Sequence, residues 1–464
     1  MKPKRLFALL ALVLATAFAA DHAKPTPLDN FIRAADSTFR YELVKTIPGD
    51  GYTAYVLDLT SQSWPPGVEL TDHPLWRHWL TVIKPDRVEG TTGFLFITGG
   101  SVKDSAPARA DPANVETALA SHSVVAELRG IPNEPLVFKE EGKSRNEDAI
   151  IAFTWLKFIR TGDPAWPLHF PMAKAAVRAM DAVTKFCAGD QAGRVEVQKF
   201  VVAGGSKRGW TTWLTAAADP RVVAIVPMVI DALNNEKSFN HHYQAYGFYS
   251  PAVKDYQDMG IMDVGGTPKY RELMQLEDPY SYRERYTMPK LLINSAGDQY
   301  FLPDSSRFYF DDLPGEKYLR YVPNADHSLR NSDARDSLIA FYDAFLHNRP
   351  RPRFNWKFEK DGRIFVKCVD QPTEVKLWQA ANPDKRDFRL VALGPAYKST
   401  TLADRGGRVY EAKIDKPAKG WTASFVELTF PSGGKYPFKF TTAVRITPDT
   451  LPFPLPKPSG KLPE

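Results

Sequence analysis

Cysteine is scarce in this sequence, since the 464 residues include only 2. The chain can form at most one disulfide, between Cys187 and Cys368, and the sequence leaves that pairing open. A disulfide-framework fold and a zinc ribbon are excluded. After the first 20 residues there is no apolar run long enough to span a membrane, which excludes a multi-span membrane protein. Internal repeats and basic tracts are also missing, so we expect no nucleic-acid partner.

What the sequence has in quantity is material for large cores. Hydrophobic residues make up 43% of the chain and aromatic residues 12%, which at this length is enough for more than one globular core. The 60 Lys and Arg residues nearly balance the 54 Asp and Glu residues. The 38 prolines and 10 tryptophans favour fixed loops and aromatic pockets over helical bundles.

Residues 1–20 have the pattern of a signal peptide. Lys2 and Lys4 precede an apolar run, and Ala17 and Ala19 provide the small residues that a signal peptidase reads. The run is only about 15 residues long, whereas a spanning helix needs roughly 20. We therefore predict export to the periplasm or the medium, with no integral membrane association after cleavage.

Residues 21–350 alternate apolar strand patterns with helical patterns, which predicts an α/β domain with a mostly parallel sheet. Three early strands are too closely spaced to hold helices between them, so we expect a leading meander at 41–47, 53–60 and 79–83. Six buried strands, expected to be parallel, follow at 93–98, 123–128, 199–203, 222–228, 290–294 and 317–322. Helices are predicted at 146–160, 172–186, 207–217 and 333–347.

Two further regions differ from this pattern. The stretch 231–288 is too long for an ordinary connection and is rich in aromatic residues, which indicates a lid or binding insertion, or else extra helices that brace the sheet. After a boundary rich in proline and arginine, short alternating runs predict a β-sandwich-like domain at 351–448. A proline-rich tail, 449–464, ends the chain.

The most informative segment places a serine between a strand and a helix. The apolar strand 199–203 is followed by Gly204, Gly205 and Ser206, and a helical pattern begins at once. This is typical of a nucleophile elbow, in which a sharp turn holds the serine hydroxyl above the sheet and small neighbours allow close approach. The match to G-x-S-x-G is imperfect because Arg208 stands where the second glycine is expected. An ordinary helix N-cap serine is the other interpretation.

Chain order strengthens the interpretation as a nucleophile. Asp298 follows one buried strand and His327 follows the next, which gives the order Ser, Asp, His of the α/β-hydrolase triad. His327 would take the proton from Ser206, and Asp298 would fix the tautomer of the imidazole. Asp231 and Asp304 are alternative positions for the acid.

An oxyanion hole needs two backbone N–H donors. We predict one from Lys207, the residue after the nucleophile, and the other from the turn at Gly99 and Gly100. Whether the cationic side chains of Lys207 and Arg208 select an anionic substrate or only brace the elbow stays open.

Candidate substrate-binding residues lie beside the elbow and in the insertion: Arg208, Trp210, His241, Tyr243 and Tyr300. The pair His241 and His242 does not predict a metal site, because neighbouring histidines point in different directions and no carboxylate spacing completes a set of ligands. We expect neither a metal nor a cofactor. Acidic residues at 147 and 148 open a predicted helix, where the helix dipole favours them.

The segment 204–213 (GGSKRGWTTW), together with Asn-Glu-Asp at 146–148 and Gly-Asp-Gln-Tyr-Phe at 297–301, resembles the PhoPQ-activated pathogenicity-related proteins. The likeness extends over nearly the whole mature chain. It implies an exported α/β-hydrolase-like protein of poorly defined substrate, linked to bacterial virulence and to resistance against antimicrobial peptides, with Ser206, Asp298 and His327 at the triad positions. The basic residue after the serine is also similar to glucuronoyl esterases, whose acid follows the preceding strand.

The sequence therefore predicts an exported serine hydrolase that cleaves an ester or amide of a small molecule or peptide through an acyl-enzyme. One alternative is a peptidase of the same fold that acts on short or cationic peptides. Another is a non-catalytic binding or signalling protein that keeps the fold without the activity. The sequence does not indicate an oligomeric state.

Overall fold

The computed structural model describes residues 24–65, 72–455 and 457–462. The predicted signal peptide, 1–20, lies outside the described residues, as does part of the proline-rich tail. The strands are β1 (Arg40–Gly49), β2 (Tyr52–Ser63), β3 (Leu75–Pro85), β4 (Thr92–Ile97), β5 (Val125–Leu128), β6 (Leu136–Val137), β7 (Ser144–Arg145), β8 (Lys199–Gly205), β9 (Val222–Met228), β10 (Lys290–Ser295), β11 (Lys317–Val322), β12 (Phe354–Phe358), β13 (Arg363–Cys368), β14 (Glu374–Asn382), β15 (Lys398–Thr401), β16 (Val409–Lys413), β17 (Trp421–Phe430), β18 (Phe438–Thr441) and β19 (Arg445–Thr447). The α-helices are α1 (Pro27–Arg33), α2 (Pro112–Ser121), α3 (Asp148–Thr161), α4 (His169–Cys187), α5 (Lys207–Ala218), α6 (Asn235–Tyr246), α7 (Lys254–Asp258), α8 (Pro268–Glu277), α9 (Ala334–Leu346) and α10 (Leu390–Leu393).

One large sheet organises the molecule, in the order β1-β2-β3-β5-β4-β8-β9-β10-β11-β18-β17-β14-β15. The six strands from β5 to β11 in this order are parallel, and β1, β2 and β3 form an antiparallel meander at one side. The predicted α/β class, the meander and the six parallel strands are all confirmed. Because parallel strands end at the same edge, the turns after β4, β8, β9, β10 and β11 meet there.

Alternation along the parallel strands divides the core into two layers. On β8, Val202 packs in one hydrophobic cluster with α4 and α5, while Val201 and Ala203 belong to the cluster on the opposite face, together with α9. Successive side chains of a strand point to opposite faces, so a strand covered by helices on both sides must be apolar throughout. This explains why the sequence pattern of these strands is continuous.

The insertion after β9 is helical and packs over the carboxyl ends of the strands. It contains α6, α7 and α8 and several short 3₁₀ turns. Thr267 caps α8 by accepting a hydrogen bond from the backbone N–H of Tyr270, and Pro268 occupies the first helical turn, where a missing N–H costs nothing. α7 and α8 contact α3, so the insertion covers the region beside the elbow.

The C-terminal region is built from β-strands, as predicted, and it also extends the central sheet. β18 pairs with β11 through Leu319 and Thr441, and β17, β14 and β15 follow outward. A separate three-stranded sheet, β12-β13-β16, shares a hydrophobic cluster with these strands, which is the packing of a sandwich. The domain boundaries at 350 and 448 stay predictions. The pairing of β11 with β18 places strands from both sides of residue 350 in one sheet.

Cys187 and Cys368 are both buried and unbonded, so the disulfide that the sequence left open does not form. Cys187 ends α4 and Cys368 ends β13. Within the described ranges, no helix combines the length and the hydropathy that a membrane crossing requires.

Candidate active site

The elbow predicted from the sequence is present. β8 ends at Gly205, α5 begins at Lys207, and Ser206 between them has φ 58° and ψ −128°. This is a conformation that non-glycine residues rarely adopt, and such strain is maintained only where the surroundings hold it. The backbone N–H of Ser206 donates to the carbonyl of Met228 at the end of β9, 2.9 Å away. The side chain of Ser206 makes no capping bond to α5, so the N-cap interpretation is wrong.

Gly204 is required by close approach across the turn. A methyl group at this position would lie 2.6 Å from the carbonyl oxygen of Arg208, closer than real contacts allow. Arg208, which breaks the expected motif, turns its guanidinium away towards Gly99, where a methyl group would lie 2.6 Å from Nη2. The absence of a side chain at Gly99 thus makes room for the arginine.

The acid and the base predicted from chain order form a pair. His327 Nδ1 lies 2.8 Å from Asp298 Oδ2, and the backbone N–H groups of Tyr300 and Phe301 donate to Asp298 Oδ1. The backbone N–H of His327 donates to Gln299 Oε1. With Nδ1–H donated to the carboxylate, the neutral imidazole has its lone pair on Nε2, as a general base needs.

Ser206 and His327 line one groove of about 370 Å³, together with Gly99, Arg208 and Met228. His327 Nε2 has no hydrogen-bond partner among the described residues, Ser206 Oγ included. Catalytic hydrogen bonds are often long before substrate binds, so a shared groove with an unpaired Nε2 is compatible with proton transfer.

The two alternative acids are occupied elsewhere. Asp231 follows β9, but its carboxyl group accepts hydrogen bonds from Tyr309 and Tyr321, both at 2.6 Å, and burial raises its pKa to about 7. Asp304 is bonded to Arg386 at 2.7 Å and to His241 at 3.0 Å, contacts that outweigh its burial and hold its pKa well below the ordinary value. Asp298 therefore remains the candidate acid.

The predicted oxyanion donors are only partly brought together. The first N–H groups of a helix have no intrahelical partner, and Lys207 is the first residue of α5. Gly99 lines the groove with Ser206, whereas Gly100 does not and instead packs against Asp104 and the backbone of Gly130. Lys207 and Gly99 therefore remain the candidate oxyanion donors.

Glu147 belongs to the site, although its position in the sequence did not indicate this. Its carboxylate receives two hydrogen bonds from the guanidinium of Arg208, at 2.8 and 2.9 Å, and an ion pair with Lys207. Burial raises the pKa of Glu147, but Lys207 and Arg208 outweigh it and bring the pKa to about 2. Its backbone N–H donates to Glu134 at 2.5 Å, and burial together with the Glu147 charge raises the pKa of Glu134 to about 7.

This cluster indicates what the two cations after the serine do. Lys207 and Arg208 are 7% and 9% exposed, and both are paired with carboxylates. Arg208 Nε also donates to the carbonyl of Ile131. Buried, paired cations brace the structure around them, and Arg208 is the one of the two that lines the groove. Glu147 has φ 51°, a strained backbone that this pairing holds in place.

The five candidate substrate-binding residues separate into three groups. Trp210 and Tyr300 line a second cavity beside Ser206, and the ring of Tyr300 lies 4.3 Å from that of His327. Arg208 lines the groove. His241 and Tyr243, on α6, line neither cavity: His241 bonds to Asp304, and Tyr243 packs on Tyr249. The structure therefore does not bring His241 and Tyr243 to either cavity beside Ser206.

His241 and His242 also diverge as expected. His242 Nε2 accepts the backbone N–H of Ser250 at 2.9 Å, and burial followed by the charge of Arg389 lowers its pKa to about 3. Within the described ranges, no group of three or more histidine, cysteine or acidic side chains is arranged to hold a metal ion.

A comparison with protein families identifies the chain. The model described as PhoPQ-activated pathogenicity-related protein matches residues 28–389. The chain belongs to this family. The resemblance seen in the sequence is thereby confirmed, and the elbow after β8, the acid after β10 and the histidine after β11 have the order of an α/β-hydrolase fold.

Individual proteins extend the comparison. Among curated proteins, autocrine proliferation repressor protein A of Dictyostelium discoideum is 38% identical to this PhoPQ-related chain over 479 residues, covering 97% of this chain and 95% of that protein. Among solved structures, acetyl xylan esterase 1 from Thermoanaerobacterium sp. JW/SL YS485 matches 70% of this chain and 94% of its own, with 16% identity and a TM-score of 0.47. A glucuronoyl esterase from Solibacter usitatus matches 70% and 91%, with 11% identity and a TM-score of 0.39.

Proposed function

We propose that this chain is a serine hydrolase that cleaves an ester or amide through an acyl-enzyme. The observation that carries the proposal is the 2.8 Å contact of His327 with Asp298, in a groove that the elbow serine Ser206 also lines. A serine that only capped α5 would need neither an oriented imidazole nor a buried carboxylate beside it. The presence of all three groups in this order therefore favours a catalytic role.

The reaction follows from these positions. Ser206 Oγ attacks the carbonyl carbon of the substrate while His327 Nε2 takes the hydroxyl proton, and the N–H groups of Lys207 and Gly99 stabilise the oxyanion. The bond to the leaving group then breaks, and the imidazolium returns the proton to the leaving oxygen or nitrogen. In the second half, water attacks the acyl carbon while His327 Nε2 takes its proton, the bond between the acyl carbon and Ser206 Oγ breaks, and the imidazolium returns the proton to Oγ. Asp298 keeps Nδ1–H donated and stabilises the imidazolium throughout.

Labelling with a fluorophosphonate probe tests this proposal. We expect the purified protein to be labelled and Ser206→Ala to abolish labelling. A wild-type protein that is folded and unlabelled would contradict the triad. A screen of activated esters against aminoacyl peptides then separates an esterase from the peptidase of the same fold, because both reactions would use one site.

A second candidate is a non-catalytic signalling protein on a hydrolase fold. It is favoured by the relative that is 38% identical and is named an autocrine proliferation repressor. Labelling of Ser206 together with turnover of any ester would exclude it for this chain.

We also propose that the chain is exported and acts on a small molecule or peptide outside the cytoplasm, in keeping with the sequence of residues 1–20. N-terminal sequencing of protein from the native host tests this, and we expect the mature chain to begin near residue 21. A protein that keeps its first residue would contradict export by this route.

A further inference from the structure

The groove that Ser206 shares with His327 has a positively charged lining. Two guanidinium groups line it, those of Arg208 and Arg335, and none of the described aspartate or glutamate residues does. The charge of Arg208 is already compensated, because its guanidinium pairs with the carboxylate of Glu147. Arg335 is therefore the cation of the groove whose charge has to be accounted for.

Arg335 lies in the first turn of α9, where neutral groups hold it. Its Nη2 donates to the side-chain oxygens of Asn114 and Thr117 on α2, 2.8 and 2.9 Å away. The guanidinium carbon lies 5.2 Å from the centre of the ring of Phe96, which also lines the groove. In the part of the chain that the structure describes, no carboxylate forms an ion pair with Arg335.

Three carboxylates act on Arg335 from a distance, and each has a partner of its own: Asp111 caps α2, Glu116 pairs with Lys435, and Glu127 pairs with Arg129. Their charges favour the protonated guanidinium, but burial outweighs them and lowers the pKa of Arg335. A buried charge is costly unless it is paired, and a guanidinium binds carboxylates strongly. Arg335 is thus suited to an anion that does not belong to the protein.

One nitrogen of this guanidinium is available to such an anion. Nη2 is used by α2, and Nε is buried without a partner. Nη1 has no hydrogen-bond partner among the described residues and, unlike Nε, is not fully buried. Because Arg335 and the Phe96 ring that its guanidinium covers both line the groove, Nη1 is the donor that the groove offers.

His327 indicates which part of a substrate the groove holds. It must reach the leaving group to return its proton, and it lines the groove but not the second cavity beside Ser206. We propose, on the basis of the hydrolase function above, that the groove binds a leaving group that carries a carboxylate, which pairs with Arg335. The leaving group is then a hydroxy acid where an ester is cleaved, or an amino acid where an amide is cleaved. A neutral leaving group of the same shape leaves the guanidinium unpaired, so the site discriminates against it.

Aryl acetates that differ in one substituent of the leaving group test this subsite. The esters meta-acetoxybenzoate and para-acetoxybenzoate carry the carboxylate, and the corresponding acetoxybenzamides are neutral and of nearly the same shape. For each pair we measure the ratio of kcat/KM, anionic over neutral ester. A third pair, the p-nitrophenyl esters of para-carboxybenzoate and para-carbamoylbenzoate, places the same change in the acyl group. We expect the wild type to favour the carboxylate in at least one acetoxy pair, after division by the hydroxide rate constants.

Variants of Arg335 separate its charge from its contacts with α2. We expect Arg335→Gln to lower the ratio of a favoured acetoxy pair by about 10-fold or more, the effect of one hydrogen bond between charged groups, and Arg335→Lys to lower it less. A purely structural role would slow both esters of a pair equally. Both are measured on one protein preparation, so a smaller folded fraction cancels in the ratio. Arg330→Gln is the matched control, because Arg330 is an exposed arginine of the preceding loop that does not line the groove, and we expect it to keep the wild-type ratio.

The outcomes separate the two proposals. If the acetoxy esters are hydrolysed in a reaction that Ser206→Ala abolishes, but the wild type shows no preference or Arg335→Gln keeps it, the subsite proposal is wrong and the hydrolase proposal stands. An equal fall in Arg330→Gln overturns the subsite as well, because surface charge would then explain the preference. A fall confined to the acyl pair overturns the assignment to the leaving group. If no ester is hydrolysed and Ser206 is not labelled, the proposed function fails, and the subsite fails with it.

Discussion

Gly204 and Gly205 are adjacent in the elbow, yet the structure predicts opposite results for their replacement by alanine. The new methyl group of Gly204→Ala would lie 2.6 Å from the Arg208 carbonyl oxygen and 2.8 Å from its carbon. Both are backbone atoms, so relief to about 3.0 Å requires the turn itself to move by at least about 0.4 Å. Overpacking of this kind costs about 1–3 kcal/mol. In contrast, the methyl group of Gly205→Ala would meet only Val229, at an ordinary 3.8 Å.

The consequence for catalysis is larger than that for stability. A displacement of 1 Å at a reacting group costs on the order of 10²-fold in rate, so we expect Gly204→Ala to lose about 10- to 100-fold in the rate of fluorophosphonate labelling and of ester hydrolysis. Gly205→Ala removes freedom from the unfolded chain without strain, and we expect it to be neutral or more stable by about 0.4–1 kcal/mol.

Labelling rates and urea unfolding midpoints of the two variants, measured against the wild type, check this prediction. Thermal unfolding is less sensitive, because for a chain of this length 1 kcal/mol changes Tm by only about 1 °C. Equal labelling rates for Gly204→Ala and Gly205→Ala would refute the argument that close approach of the Arg208 carbonyl fixes the serine.

The remaining predictions concern the acids, the cation cluster and the histidine loop. Asp298→Asn should lower kcat by about 10⁴-fold, because the imidazole then adopts the wrong tautomer. Asp231→Asn should leave kcat close to that of the wild type. The reverse result would show that Asp231, and not Asp298, is the acid. Because the pKa of Asp231 is raised from 3.8 to about 7, the folded state binds more protons than the unfolded state between these values, so stability falls as pH rises through this window. Asp231→Asn should remove that fall, which amounts to at most about 4 kcal/mol and is measurable by urea unfolding at pH 4 and pH 8. Arg208→Lys keeps the charge but loses the paired hydrogen bonds to Glu147, and we expect it to lower kcat at least 10-fold. Activity equal to that of the wild type would show that the charge alone suffices. The side chain of Asn324 makes two hydrogen bonds to the backbone of Tyr397 and so anchors the loop that carries His327. We expect Asn324→Ala to reduce kcat more than it raises KM in steady-state assays on an activated ester, and a change in KM alone would contradict this.

The sequence predicted the elements that depend on local pattern and the residues that depend on chain order. Continuous apolar runs identified the parallel strands because each is buried on both faces. Ser206, Asp298 and His327 could be located because strand ends of a parallel sheet meet at one edge, whatever the intervening sequence contains. The helical insertion was recognised by its length, although the sequence did not distinguish a lid from bracing helices.

What could not be predicted depends on pairing between distant segments. Glu147 lies 61 residues before Arg208, and its position in a first helical turn already had a sufficient local explanation. His241 appeared to belong to the site because it lies in the insertion, but which face a helix turns towards Ser206 depends on tertiary packing with Asp304. Likewise, the pairing of Leu319 with Thr441 joins two regions that a proline-rich boundary separates in the sequence.

The C-terminal region does more than extend the sheet, because it contacts both loops that carry the acid and the base. The side chain of Asn324, three residues before His327, donates to the backbone carbonyl of Tyr397 and accepts its N–H, both at 2.9 Å. The N–H of Leu390 donates to the carbonyl of Gly297, next to Asp298. Each contact is with backbone, so its geometry depends on the course of the segment between β14 and β15 and not on one side-chain rotamer. The 2.8 Å contact between Asp298 and His327 therefore depends on a segment that follows the predicted boundary.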